Sequence, residues 1–275
     1  MKLKNMKKLL TIAFLTSLSI GVIAQEAGEK NVLAGITLGG AMSFNNPQTN
    51  SIDAKVGGDF IVGMALDWHF SQNIGLSTGL EFDFDRLKTI YKEDEDVYFD
   101  YRDKEILQQD DYNSGNTDPS FMLAERKHKS IYLSVPIMLR FETNYMGYIR
   151  YFGKFGVRNS FLLTTRTDNE GTNMPFVDPK VGNELEDMKS PGVMSFYKGS
   201  IGLTAGAEYN ITGSTVIVGE IGYFYGFSEI FQQEGSLFGD DEKDLSLYNG
   251  DKNNRKYYAP SLKQGQLMLK VSVLF

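Results

Sequence analysis

Charged side chains recur at every second position along several apolar stretches of the sequence. This spacing would place them on one face of a β-strand, where the chemistry available to them is ion pairing. The clearest members of the set are Glu81, Asp83, Arg140, Glu142, Arg150, Lys154, Arg158, Glu208, Glu220 and Lys270. With Asp59, Asp67, Asp85 and Lys198 the same face carries eight acids and six bases. We therefore expect a structural network of ion pairs at these positions.

Acid–base catalysis is the second chemistry that the residue types allow. The chain has two histidines, and His128 stands close to Ser130 and to acids of the neighbouring segment. An activated nucleophile needs a base within hydrogen-bond reach, and the sequence shows no clear pair of this kind. We expect His128 to be a solvated histidine at the rim of the fold, His69 to face its interior, and the protein to have no catalytic residues.

Metal and cofactor chemistry has weaker support. Residues 93–96 form an acidic run that could hold Ca²⁺, but they lack the glycine and the ligand spacing of an EF-hand loop. A solvated run of charges is the better interpretation. The chain has no cysteine, phosphate-binding loop, zinc-type spacing or nucleotide fingerprint. We expect neither a metal nor a cofactor, and the net charge of −7 argues against nucleic acid as a partner.

The N-terminus has the pattern of an export signal. Four lysines precede residue 9, an apolar segment follows, and Val22, Ile23 and Ala24 form a small-residue cleavage site. The alternative, a transmembrane anchor, fits less well because the apolar core is short. The sequence predicts a signal peptide at residues 1–24 and a mature domain at residues 25–275.

The elements that would position the charged set are β-strands. The chain is rich in Gly, Tyr and Phe, which suits many strands joined by turns. Apolar and polar residues alternate in eight segments, which we predict to be strands: residues 31–44, 55–70, 74–85, 129–142, 149–163, 198–209, 214–228 and 261–275. The connections after the second, fourth and sixth segments are short. The others are longer, and three of them are long polar loops, at residues 92–126, 166–192 and 230–260.

This alternation of short and long connections predicts a specific fold class. In an antiparallel up-and-down order, every short turn lies at one end and every long loop at the other. That asymmetry is typical of outer-membrane barrels, which have short periplasmic turns and long extracellular loops. We therefore expect an all-β, eight-stranded antiparallel transmembrane β-barrel located in the outer membrane.

The apolar residues at alternate strand positions indicate whether lipid or water surrounds the barrel. They include many bulky aromatics, among them Trp68, Phe82, Phe141 and Tyr223, which exceed the space inside eight strands. The apolar face should meet lipid, and the charged face should line the lumen. We expect a lumen plugged by ion pairs, with Arg140 opposite Arg150 across a tight turn. The alternative is a partly wet lumen with solvated charges.

The region from residue 31 to residue 275 resembles outer-membrane β-barrel families of the Bacteroidetes, in particular PorT-like proteins. The resemblance rests on the junction between Ala24 and Gln25, on residues 132–140 (YLSVPIMLR), on the glycine-rich residues 153–157 and on Phe275. It implies a role in protein secretion or envelope biogenesis. It also implies that Phe275 acts as an assembly signal read by the barrel-assembly machinery.

Three functions remain open on the sequence. The first is a PorT-like, non-enzymatic accessory of secretion or envelope biogenesis. The second is a surface barrel whose long acidic loops bind a ligand or partner, since loops on a rigid scaffold often carry function. The third is a small channel. The expected partners are the lipid bilayer, the barrel-assembly machinery and a secretion-system or surface partner.

Overall fold

The computed structural model describes residues 31–49, 52–92, 96–111, 118–173, 184–212, 214–233, 245–252, 254–257 and 260–275. The expected signal peptide lies outside the described residues, as does the acidic run 93–96 except for Asp96. Within the described ranges, no helix is long and apolar enough to cross a bilayer.

The described chain is built almost entirely of strands joined into one sheet. They are β1 (Val32–Pro47), β2 (Ile52–Ala54), β3 (Gly57–His69), β4 (Ile74–Tyr91), β5 (Tyr98–Arg102), β6 (Glu105–Ile106), β7 (Ser120–Glu142), β8 (Ile149–Asn173), β9 (Glu184–Lys189), β10 (Tyr197–Asn210), β11 (Val216–Gly226) and β12 (Leu262–Leu274). A 3-10 turn at Gln109–Asp111 completes the set.

The sheet closes on itself. The sequence of antiparallel neighbours is β1, β3, β4, β7, β8, β10, β11 and β12, and β12 pairs back with β1. This order is the up-and-down order that the alternating connections predict. Closure leaves none of these eight strands with a free edge for uncontrolled pairing with another chain.

The strand count differs from the prediction, because twelve strands join the sheet in the described part of the chain. The four additional strands, β2, β5, β6 and β9, have between two and six residues. They lie inside segments that the sequence analysis assigned to loops. The pairing of β6 with β9 is parallel, whereas the other named pairs are antiparallel.

The long connections are also more ordered than their polar composition suggests. Strands β4, β7 and β8 continue past Phe84 and Ile131, where the continuous apolar outward surface ends, as residues 86–91, 120–130 and 164–173. We call this part the outer extension. It carries a hydrophobic core formed with the long connections, and we call that assembly the cap. The core contains Ile52, Leu87, Tyr91, Val97, Phe99, Tyr101, Ile106, Phe121, Leu123, Leu185, Met188, Val193, Met194, Ile230, Phe231, Leu247 and Leu262.

The ring sorts its side chains by the two-residue period of a β-strand. Apolar residues point outward and stay exposed, with Leu203 at 65% and Leu269 at 62%. Polar and charged residues of the other register point inward and are buried, among them Arg140, Asp83 and Glu208. The predicted registers are therefore those of the structure, and the candidate functional residues lie inside the ring.

Candidate functional site

The interior nearest the short turns is organised by one arginine. Arg140 on β7 contacts Asp67, and its Nε and Nη2 lie 2.8 Å from Glu142 Oε2 and 2.6 Å from Glu208 Oε2. The guanidinium also lies 4.3 Å above the centre of the Phe152 ring. Because Arg140 is fully buried, three carboxylates and an aromatic face replace the water that it loses.

A second arginine uses the same two glutamates. Arg150 on β8 places Nη1 2.7 Å from Glu142 Oε1 and Nη2 2.9 Å from Glu208 Oε1. His69 Nε2 lies 3.1 Å from Arg150 Nη2 and 3.4 Å from Glu142 Oε1. The two arginines therefore share carboxylates, whose negative charge offsets the repulsion between the two guanidinium groups at the inner mouth of the ring.

The predicted pairing around this turn was wrong in one respect. Arg140 lies directly opposite Lys154, and not opposite Arg150. The turn of the β7–β8 hairpin is centred near Gly147, whose positive φ of 68° suits a residue without a side chain. A turn centred there shifts the partner of Arg140 along β8.

The middle of the interior holds a continuous chain of charges. Lys154 Nζ lies 2.6 Å from Glu220, and Lys270 Nζ lies 3.9 Å from Glu220 and 3.0 Å from Glu81. Arg158 continues this chain, 3.0 Å from Glu81 and 2.8 Å from Asp83. Glu81 and Asp83 therefore contact Arg158, and Glu81 also contacts Lys270, whereas the acids of Arg140 and Arg150 come from elsewhere.

In the part of the interior closest to the cap, charged residues also form hydrogen bonds with neutral side chains. Lys198 Nζ lies 2.7 Å from Asp85 and 3.1 Å from Gln264 Oε1, and 4.4 Å above the Tyr132 ring. Asp59 accepts hydrogen bonds from Ser43 and from Gln266 Nε2, the latter at 2.7 Å. Nearer the short turns, a small cavity of about 30 Å³ lies beside Asp67, Glu81 and Lys154.

The cap contains a polar cluster that the sequence analysis missed. Asp100 on β5 accepts hydrogen bonds from Ser120 Oγ at 2.7 Å and from Tyr248 OH at 2.8 Å. Arg255 Nη2 lies 2.6 Å from the other oxygen of Asp100. Burial and the neighbouring Asp100 raise the pKa of Tyr248, so the hydroxyl stays protonated and donates. We call these four residues the cap latch, because they join the β11–β12 connection to β5 and β7.

His128 is not the solvated rim residue that the sequence suggested. It is fully buried in the outer extension, 5.3 Å from the Phe231 ring and edge-on to it. Among the residues that the structure describes, neither ring nitrogen has a hydrogen-bond partner, and the Ser130 hydroxyl bonds Thr165 instead. Burial, reinforced by Arg126, lowers the pKa of His128 well below its usual value. The nucleophile–base pair considered for these residues is therefore not assembled.

The described residues contain no group of three or more acids or histidines placed to hold a metal ion. Phe275, the expected assembly signal, is 62% exposed at the end of β12. Its backbone N–H donates to the Ala34 carbonyl at 2.9 Å, and the Ala34 N–H donates back at 3.2 Å. The last residue is thus tied to the first strand beside the short-turn end.

A family model described as "Outer membrane protein beta-barrel domain" matches residues 23–232. The chain belongs to this family. It is an outer-membrane β-barrel protein, and the predicted location in the outer membrane is confirmed. Comparison with curated proteins finds none that matches the sequence.

Several solved outer-membrane proteins resemble this β-barrel protein at low identity. The attachment invasion locus protein Ail of Yersinia pestis is 14% identical, with a TM-score of 0.36, and the match covers 89% of this chain and 99% of Ail. OprG of Pseudomonas aeruginosa is 13% identical, with a TM-score of 0.38 and coverage of 89% and 94%. The outer membrane protease OmpT of Escherichia coli is 10% identical, with a TM-score of 0.37 and coverage of 92% and 99%.

Proposed function

We propose that the eight long strands of the ring form a transmembrane barrel that acts as a closed, non-enzymatic scaffold. The observation that carries this proposal is the burial and ion pairing of two interior arginines. Arg140 and Arg158 are fully buried, and each contacts at least two carboxylates. Ion pairs of this kind cross the space through which a solute would have to pass, and an eight-stranded ring leaves room for little else.

The sealed interior argues against the small-channel alternative and can be tested directly. The refolded protein should show no stable conductance of porin size in a planar bilayer. Folding is verified on the same sample by its gel mobility, since a closed barrel resists detergent until it is boiled. A stable conductance from heat-modifiable protein would refute the closed scaffold.

The cap favours partner binding at the cell surface as the task of this scaffold. Its core and its latch convert the long connections into a pre-formed surface, and pre-organisation lowers the entropic cost of binding. We infer that the cap recognises a ligand or partner outside the cell. This inference assumes the orientation common to outer-membrane barrels, with the long connections outward.

A PorT-like role in secretion or envelope biogenesis is the second proposal, and the inner mouth favours it. A cavity of about 710 Å³ opens among the short turns, lined in part by His69, Tyr145 and Arg150. A periplasmic component could dock there. In the same proposal, Phe275 and β12 are read by the barrel-assembly machinery during insertion.

Site-specific photo-crosslinking in native membranes separates the two proposals. One crosslinker replaces Glu186, which is exposed on β9 in the cap, and the other replaces Gln72, which is exposed in the β3–β4 turn. Adducts from position 186 alone support a surface partner. Adducts with secretion components from position 72 alone support the PorT-like role, and the absence of specific adducts from both positions contradicts both.

A further inference from the structure

Five cations lie on the outward face of the outer extension, where the apolar surface of the ring ends. They are Arg86, Lys88, Lys127, Lys129 and Arg166, and we call them the cationic patch. Two residues nearer the membrane on the same face stand Phe84 and Ile131, which are themselves cross-strand partners. The patch therefore begins at the height where a bilayer's hydrocarbon gives way to headgroups.

The register of the strands places these cations directly side by side. Arg86 on β4 is opposite Lys129 on β7, and Lys129 is opposite Arg166 on β8. One step further from the membrane, Lys88 is opposite Lys127. Directly opposed side chains lie about 5 Å apart at Cβ, and like charges at that spacing destabilise a sheet. The arrangement therefore works against the stability of the isolated barrel.

Acids of the protein neutralise only part of this charge. Lys88 contacts Glu125, Lys129 Nζ lies 2.6 Å from Asp168, and Arg166 lies 3.1 Å from Asp187. In the part of the chain that the structure describes, neither the Arg86 guanidinium nor the Lys127 ammonium lies within 4 Å of a carboxylate oxygen, and the cross-strand partner of Lys127, Asp168, contacts Lys129 instead. These two exposed cations remain available to an external anion.

The charge changes sign with distance from the membrane. The row next to the apolar surface consists of Arg86, Lys129 and Arg166, whereas two steps further out Glu125 is opposite Glu170. A general affinity for anions in solution would not require the cations to be confined to the two rows nearest the bilayer. Their position matches phosphate groups held at a fixed height, which are those of lipid headgroups.

We propose that the cationic patch binds the phosphate groups of anionic lipids in the outer leaflet. Guanidinium and ammonium groups form charge-assisted hydrogen bonds with phosphate oxygens. A bound phosphate would also offset the repulsion between the opposed cations. The inference rests on the proposed transmembrane placement of the ring, because that placement sets the patch at headgroup height.

The test compares two lipids that differ only in phosphate. Refolded protein in a neutral detergent is titrated with diphosphorylated lipid A and with the same lipid after removal of its phosphates, and bound lipid is counted by native mass spectrometry. The variant Arg86→Gln/Lys127→Gln removes the two cations that form no ion pair among the described residues, and Asp168, which stands opposite Lys127, keeps its ion pair with Lys129. The control Lys256→Gln/Lys263→Gln changes the net charge equally, and Lys263 lies across the ring beside Asn46.

We expect the native barrel to prefer the phosphorylated lipid, and the patch variant to lose about 30-fold in affinity for it, as expected for two cations near a charged surface. The control should retain its affinity within about 2-fold. Equal binding of the two lipids by the native protein, or equal losses in the two variants, would overturn the proposal. A variant that no longer shows heat-modifiable mobility would instead question the barrel, so the two failures are distinguishable.

Thermal unfolding provides a second readout that separates lipid binding from a structural role of the cations. Without lipid, the patch variant should be as stable as the native protein or more stable, because it lacks the cation–cation contacts. Phosphorylated lipid should raise the unfolding midpoint of the native protein more than that of the variant, because it binds the folded state. Equal shifts in both proteins would contradict the patch as the binding site.

Discussion

Arg140 and Glu208 meet inside the ring, with 2.6 Å between Nη2 and Oε2, and neither side chain is exposed to solvent. They come from β7 and β10, which are separated in the ring by β8, so this contact bridges over one strand inside the lumen. Arg140 also joins Asp67 on β3 to Glu142 on its own strand. One guanidinium therefore holds together carboxylates from three strands.

The first prediction concerns this arginine. Arg140→Met should lower the free energy of unfolding by about 3–5 kcal/mol, because it leaves buried Asp67 without its ion-pair partner and removes one of the two cations that Glu142 and Glu208 share. A urea titration of folding in lipid vesicles measures the change. Arg102→Met is the matched control, since Arg102 pairs with Asp118 at an exposed position and its loss should change little. Similar losses for both variants would contradict a structural role for the interior network.

The second prediction is a charge exchange within the interior. Lys154 and Glu220 form a direct pair at 2.6 Å between β8 and β11. Lys154→Glu and Glu220→Lys should each destabilise the barrel, whereas the double exchange should recover part of the loss because it restores opposite charges. The coupling free energy from a double-mutant cycle in the same titration should be at least about 1 kcal/mol in favour of the double variant. Additive losses would mean that the two charges act independently.

The third prediction tests the outward face. Leu203 lies near the middle of β10 and is 65% exposed. Leu203→Arg should cost about 2–4 kcal/mol, because a cation at the bilayer midplane loses its hydration. Tyr148→Arg, at an exposed position near the short turns, should cost about 0–1 kcal/mol. Equal costs at the two positions would show that the ring does not sit in lipid as proposed.

The fourth prediction concerns pH. Because burial holds the pKa of His128 well below its usual value, this side chain stays neutral when the protein is folded and gains a proton on unfolding in acid. The unfolded state therefore binds more protons below about pH 6.5, and the contribution of His128 to stability falls as the pH is lowered from that value. Above that pH the residue contributes no pH dependence.

His128→Leu should remove this part of the pH dependence. It should also leave stability at neutral pH unchanged or raised, since it replaces a buried side chain whose ring nitrogens are unpaired. The unfolding free energies of both proteins between pH 5 and pH 8 provide the measurement. A His128→Leu variant that keeps the full acid dependence, or that is strongly destabilised at pH 7, would contradict this account.

The sequence by itself determined the registers of the ring. The two-residue period of a strand assigns Leu203 and Glu208 to opposite faces, and the bulk of residues such as Trp68 excludes the apolar face from the inside. The alternation of short and long connections then follows from chain order alone. For these reasons the up-and-down order and the charged interior could be predicted without coordinates.

Only the tertiary structure decided which charges meet. Partners such as Arg158 and Glu81 are far apart in sequence, and their contact depends on the stagger of strands around the ring, which no local pattern encodes. The same holds for the cap. His128 is polar and stands in a charged segment, so its sequence context suggests exposure. Its burial arises because Phe231, from a distant connection, packs over it.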